Sequence, residues 1–600
     1  MPSATRHCRL HLTVLLALTL LTSSLRAQSP SLTSINPAPT NSEATLQYIH
    51  ASWDNLTRSV TQCSSFTDVK VATRPVLYLP ADIPIPPAIQ QLSKDCAVDV
   101  LILPHRIDKI GDLTSAELTT SGKPSGLLYL PNNYIVPGGR FNEMYGWDSY
   151  FILLGLVSDH HLNLARGIVE NFFFEIEHYG GILNANRTYY LTRSQPPLLT
   201  SMIRAVYEAP DSISARVSTS TAAVFPDSTA RRDWLEHAYA AAEKDYETWL
   251  RPEHRAGSTG LARYYDYAEG PVPETADDST YYQDVIRYLA SHPAENTGFL
   301  VKGSAHPDPT EAARLKLTSC DTTASAVCLH AQAEGYRLSK DFYSGDRAMR
   351  ESGFDTSFRF GAFSGATHHY APVCLNSLLF RYERDMAHFA HILNKPEQAH
   401  LWEERAKHRN TAIHRYLWQP RQNTFADYDF TRARPSTYAY ITSFYPLWAG
   451  IATREEAAQI ESTLKTFEHP GGLAQSATLS GMQWDAPYGW APTNYLAIVG
   501  LASYQYREDA RRLAQAFRTT IDHGFAEDAT IREKYNVAAG NANVKVTAGY
   551  KTNVIGFGWT NAVYLKLAEL LNQPSAPNPS SSPQPPPASP QPAPPADPQH

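Results

Sequence analysis

The 600-residue sequence predicts one large all-α domain whose long loops build the functional site. Three observations carry this. Apolar residues recur at three- and four-residue spacing in most of the well-patterned segments. Strand-like alternation is confined to two short pieces. No Pro-, Ser- or Gly-rich linker interrupts residues 46–572, so nothing marks an internal domain boundary. A hydrophobic share of 43% suits a folded chain. The net charge of −7 leaves no basic surplus to neutralise phosphates, which argues against a general nucleic-acid binder.

Taken in chain order, residues 1–27 read as a secretory signal. Arg6 and Arg9 precede the ten-residue apolar run Leu12–Leu21, and Ala27 offers a small residue for cleavage. That run is too short to cross a bilayer, and no later stretch reaches the roughly 18 residues required. The expectation is an exported chain, periplasmic or secreted, with a linker over 28–45 and the domain over 46–572. Val76–Leu79 and Val98–Leu103 are the two short strand candidates. Leu164, Ile168, Phe172 and Ile176 share one helical face, which stops at Tyr179-Gly180-Gly181. Further helices are expected over Arg231–Leu250, Val373–Leu393, Pro396–Trp418, Arg454–Phe467, Asp509–His523 and Asn561–Leu571. Residues 573–600 form a low-complexity tail, with 12 prolines in the 27 residues from Pro574, expected to be extended and unpacked.

After cleavage at Ala27, five cysteines remain. In an oxidising compartment Cys63 with Cys96 and Cys320 with Cys328 are candidate pairs, leaving Cys374 as a buried thiol in an apolar stretch. No clustered His/Cys spacing suggests zinc, so no metal or cofactor is expected, and His160-His161 and His368-His369 read as structural or solvated.

The chain is rich in aromatics, with Tyr 34, Phe 22 and Trp 10. Most are expected in the core, but three segments set them beside charges. Pro137–Phe151 (PGGRFNEMYGWDSYF) places Arg140, Glu143 and Asp148 among Phe141, Tyr145 and Trp147. Gln483–Asn494 (QWDAPYGWAPTN) repeats the pattern around Asp485, and Asn184–Pro197 (NANRTYYLTRSQPP) has the same character. Rings that stack on sugar faces, next to carboxylates and arginines that bind hydroxyls, suit a neutral polyhydroxylated ligand. Packed turns with structural ion pairs are the other reading of the same residues. The Gly-Gly pair is not a phosphate loop, since no lysine and Ser/Thr follow it.

These segments resemble the signature motifs of the α,α-trehalases, glycoside hydrolase family 37, and the resemblance runs from about Ile49 to about Leu571. It implies an (α/α)6 toroid with long loops forming the active site, inverting hydrolysis of trehalose to two glucoses, and no metal. Such chemistry uses one carboxylic acid to protonate the departing oxygen and one carboxylate to activate water on the opposite face. The resemblance assigns these roles to Asp355, at the end of Arg350–Asp355 (RESGFD), and to Glu533, within Ile531–Tyr535 (IREKY). It also implies substrate contacts by Arg140, Phe141, Tyr145, Trp147 and Asp148, by Asn184, Arg193 and Gln195, by Glu274 and Gly353, and by Gln483, Trp484 and Asp485.

Four departures stand out. Relatives carry Arg-Pro-Glu where this chain has Val272-Pro273-Glu274, so one arginine is lost. Phe354 replaces a tryptophan before the acid, and Cys374 stands where relatives tend to have aspartate. Asn541–Asn553 lacks the glycine run and glutamate of the family's lid loop; besides these four, the stretch from about Asp284 to Ser344 is expanded. The expected protein is therefore an extracytoplasmic trehalase acting on trehalose, a monomer without a membrane span or nucleic-acid partner. A hydrolase of another small α-glucoside and a sugar-binding relative without catalysis are the alternatives.

Overall fold

A computed structural model describes residues 42–66, 74–210, 224–277, 280–302, 331–547 and 552–573. The signal-like segment, Cys320, Cys328, part of the lid loop and the proline tail lie outside them. Among the described residues, twelve helices alternate between outer and inner positions along the chain. They are α1 (Ser42–Leu56), α2 (Gly146–Ser158), α3 (Leu162–His178), α4 (Leu199–Tyr207), α5 (Ser228–Leu250) and α6 (Val373–Ile392). The remainder are α7 (Pro396–Tyr416), α8 (Tyr445–Ala449), α9 (Arg454–Ser462), α10 (Ala491–Ser503), α11 (Arg507–Asp528) and α12 (Gly558–Asn572). The even-numbered helices close a ring, each packing on the next and α12 packing back on α2. The architecture is an (α/α)6 barrel.

Position in the barrel explains which helices are legible. An outer helix buries one stripe and wets the other, as α5 does by burying Trp234, Leu235, Ala238, Tyr239, Ala242, Tyr246 and Trp249. Five of the expected helices correspond to the outer helices α3, α5, α7, α9 and α11, and their bounds agree to within a few residues. An inner helix has neighbours on every side and needs no polar face. In α2, ten of 13 residues are buried, and α10 is similar. Without a stripe there is no period to read in α2 and α10, and α4 and α8 are only nine and five residues long, so these four do not stand out, whereas the inner helices α6 and α12 match the expected Val373–Leu393 and Asn561–Leu571.

Hydrogen bonds join the N-terminal helix to the C-terminal end. Thr45 Oγ1 donates to Asp522 Oδ1 at 2.7 Å, and Asn561 Nδ2 donates to Ser52 Oγ at 2.8 Å. Trp53 Nε1 donates to Asp159 Oδ2 at 2.7 Å, fixing α1 to the end of α2. Beside the barrel, Val76–Leu79 pairs in parallel with Asp99–Ile102 and Leu127–Leu128, which bears out the two strand candidates. A disulfide joins Cys63 to Cys96, and Cys374 is a buried thiol. A lobe between α5 and α6 has its own core of Val272, Tyr282, Ile286, Leu289 and Phe342, and it contains the helix Lys340–Glu351 that leads into Asp355. No helix among the described residues is long and apolar enough to cross a membrane.

Candidate active site

Three of the inner helices, α2, α10 and α12, present their N-terminal ends to one cavity of about 400 Å³. Trp147 and Asp148 occupy the first turn of α2, Trp490 is the N-cap residue of α10, and Phe557 and Trp559 flank the start of α12. The Asn184–Pro197 segment supplies Asn184, Tyr189, Tyr190, Arg193 and Gln195. Gln195 Oε1 accepts from the Trp147 amide at 2.8 Å, so it also satisfies an orphan donor at the start of α2. Strand Tyr488–Trp490 pairs antiparallel with Lys534–Asn536, with Trp490 opposite Lys534. This pairing carries Glu533 to the second signature across more than 40 residues of sequence.

The floor is aromatic. The Trp484 and Trp490 rings stack at 3.8 Å with 6° between planes, and Trp147 lies 5.8 Å from Trp484 and 5.6 Å from Trp559. Phe354 packs behind them, 5.5 Å from Trp147 and 5.1 Å from Trp484. Gly353 has φ +76°, and a Cβ there would stand 2.8 Å from the Trp147 indole, so glycine is required twice over.

Of the four carboxyl groups that line this cavity, Asp355 and Glu533 have different surroundings. Burial pushes Asp355 up to about 6, against the pull of Arg350 and Arg193. Its carboxyl lies 3.7 Å from Arg350 Nη1, and Gln483 Nε2 donates to its backbone carbonyl. Glu533 is in a buried ion pair with Lys534 Nζ at 2.8 Å. The Glu533 carbonyl accepts from Trp559 Nε1 at 3.3 Å. Burial, with Glu533 and Asp355 close by, raises Asp148 well above the ordinary carboxylate range.

Arg193 and Glu274 form an ion pair on the opposite wall, with Asp266 Oδ2 3.6 Å from Arg193 Nη1. Burial opposes ionisation of Glu274, but Arg193 and Arg350 outweigh it and hold its carboxyl below the usual value. Val272 is fully buried in the lobe core. Arg350 brings a guanidinium into the same neighbourhood, held by Asp346 at 3.4 Å and lying 5.1 Å over the Tyr281 ring. At the other departure, Arg359 Nη1 meets Cys374 Sγ at 3.5 Å, while Asp427 takes the Arg359 charge through contacts of 2.8 and 2.6 Å.

The structure brings together Arg140, Phe141, Tyr145, Trp147, Asp148, Asn184, Arg193, Gln195, Glu274, Gly353, Asp355, Gln483, Trp484 and Glu533. Asp485 is different. It does not line the cavity. It is buried behind it, accepting from Ser480 Oγ at 2.6 Å and the Phe358 amide at 2.8 Å, so it latches the second signature to the loop after Asp355. The cavity also contains Tyr189, Tyr190, Thr275, Tyr281, Arg350 and Thr356, which motif reading did not single out. Tyr189, Tyr190 and Arg350 sit inside segments already quoted for other residues. Tyr281 comes from the lobe, and no local pattern marks it.

The trehalase family profile matches residues 80–572. The chain belongs to the trehalase family. Among similar proteins, a probable trehalase of Eremothecium gossypii is 33% identical over 83% of this chain and 64% of its own length. A cytosolic neutral trehalase of Emericella nidulans is 34% identical over 73% and 58% respectively. The chain thus spans less than two thirds of these two relatives. A cytosolic neutral trehalase of Saccharomyces cerevisiae is 33% identical over 87% of this chain and 70% of its own length. The solved neutral trehalase from the same yeast superposes with a TM-score of 0.69 at 31% identity, covering 88% of this chain and 94% of that one.

These trehalase relatives correct one expectation. The apolar N-terminal run predicted export to the periplasm or medium, yet several of the relatives are named as cytosolic. A ten-residue apolar run behind two arginines is a weak address, because a short buried helix has the same composition.

Proposed function

We propose that this chain hydrolyses α,α-trehalose to two glucoses with inversion, Asp355 acting as general acid and Glu533 as general base. The observation that carries the reading is the electrostatic asymmetry of the two carboxyl groups in one aromatic-floored cavity. Burial favours a proton on Asp355, which suits an acid that protonates the departing glycosidic oxygen. Glu533 rests against the Lys534 ammonium and takes a proton from the attacking water. Arg140, Arg193 and Glu274 offer charged partners and Asp148 a carboxyl group to the hydroxyls, and Phe141, Tyr145, Trp147 and Trp484 enclose the pyranoses. Arg350, beside Asp355 and Glu274, supplies the cation that Val272 cannot.

Incubation of the purified chain with trehalose, maltose and sucrose tests this. Glucose should appear from trehalose, and early proton NMR spectra should show equal α- and β-glucose, because one unit keeps its configuration while water inverts the other. Asp355→Asn and Glu533→Gln should each lower kcat by at least about 100-fold. Release of α-glucose alone would overturn inversion. Cleavage of maltose or sucrose but not trehalose would reassign the substrate, and no cleavage of any of the three would leave a binding protein.

A further inference from the structure

We propose that Asp341, His368 and His369 form a binding site for a divalent transition-metal ion, with a donor set suited to Zn²⁺. Asp341 lies in the first turn of helix Lys340–Glu351, and the histidines end the 3₁₀ turn Thr367–His369. The fold brings these segments together: Nε2 of His368 and Nε2 of His369 stand 3.0 and 3.2 Å from the same atom, Asp341 Oδ1. All three donor atoms lie within 4.8 Å of one another. Zn²⁺ binds imidazole nitrogen and carboxylate oxygen at roughly 2.0–2.2 Å, so the edge of its tetrahedron is about 3.3 Å. The two histidine-to-aspartate spacings already approximate such edges, and small side-chain adjustments would seat the ion.

The surroundings support the reading. The turn is fixed without help from an ion: the His368 carbonyl accepts from Arg263 Nη1 at 2.8 Å, the His369 amide donates to Ala366 O at 2.9 Å, and the His369 carbonyl accepts from the Phe430 amide at 3.2 Å. Lys340 pairs with Glu269, and Arg263 spans the carbonyls of Glu253 and His368. Asp341 is 47% exposed and His369 26%, so an ion can reach the site and water can complete its coordination. His368 Nδ1 is buried with no hydrogen-bond partner among the described residues. Metal-bound histidines ordinarily donate from that nitrogen, and lacking the contact costs about 10- to 100-fold in affinity, so binding should be moderate.

The ten residues from Asp341 to Glu351 advance about 15 Å along the helix. The ion would therefore clamp the helix start, remote from the reacting atoms, and act on stability. The test is calorimetric titration of the chelator-treated full chain with Zn²⁺. One equivalent should bind, and Asp341→Asn and His369→Ala should each weaken binding by at least about ten-fold. Co²⁺ should give the intense visible bands of a four-coordinate ion in the wild type and lose them in both variants. Hydrolytic activity of metal-free His369→Ala equal to wild type shows that the variant is folded. Absence of stoichiometric binding to the wild type, or unchanged affinity in both variants, would overturn the site and assign any heat to other histidines.

Discussion

At the scale of single residues, the cavity depends on how each charge is surrounded. Asp355 and Asp485 are both aspartates inside signature segments, and both are held near 6 by burial. Only Asp355 faces the cavity, because Asp485 Oδ2 is turned behind it to accept from Ser480 and Phe358. Sequence similarity cannot separate the two roles, since a latch and a substrate contact can be equally invariant in a motif. The pH dependence follows from the sign of the Asp355 shift. A general acid works when protonated, so kcat/KM should fall about ten-fold per pH unit above about 6 on the alkaline side. Arg350 opposes that protonation. Arg350→Gln should move the alkaline limb to higher pH while raising KM for trehalose, whereas an unmoved limb would show that the guanidinium does not act on Asp355.

At the scale of elements, the strongest constraint is the passage from helix Lys340–Glu351 into Asp355. Ser352 caps the helix, Gly353 turns the backbone at φ +76° against the Trp147 ring, and Phe354 fills the space behind the tryptophans. Gly353→Ala should therefore cost about 1–3 kcal/mol of stability in urea denaturation, through positive φ and contact with the indole. Activity should fall with it, because Asp355 lies two residues on. A neutral result would mean that the segment relaxes freely. The strand pairing of Tyr488–Trp490 with Lys534–Asn536 performs the equivalent service for Glu533. Both strands are only three residues long, too short for any alternating pattern to reveal them.

At the scale of the whole molecule, α1 packs against α11 and α12, tying the start of the domain to its end. Trp53 is 1% exposed and donates to Asp159, so Trp53→Ala should cost about 3–5 kcal/mol and lower the urea midpoint. An unchanged midpoint would show that α1 is dispensable. The sequence by itself determined the outer helices, whose stripes report one wet and one dry face, and the family, whose motifs are long and local. It also marked most of the cavity wall, because those residues lie inside the motifs. Tertiary structure alone decided the rest. Of the inner helices only α6 and α12 were legible, because α2 and α10 are dry on nearly every side and α4 and α8 are short, so ring closure appears only when they pack. Tyr281 reaches the cavity from a separate lobe, and Asp485 is withdrawn from it by two hydrogen bonds. These facts depend on contacts between residues far apart in the chain, which no local spacing encodes.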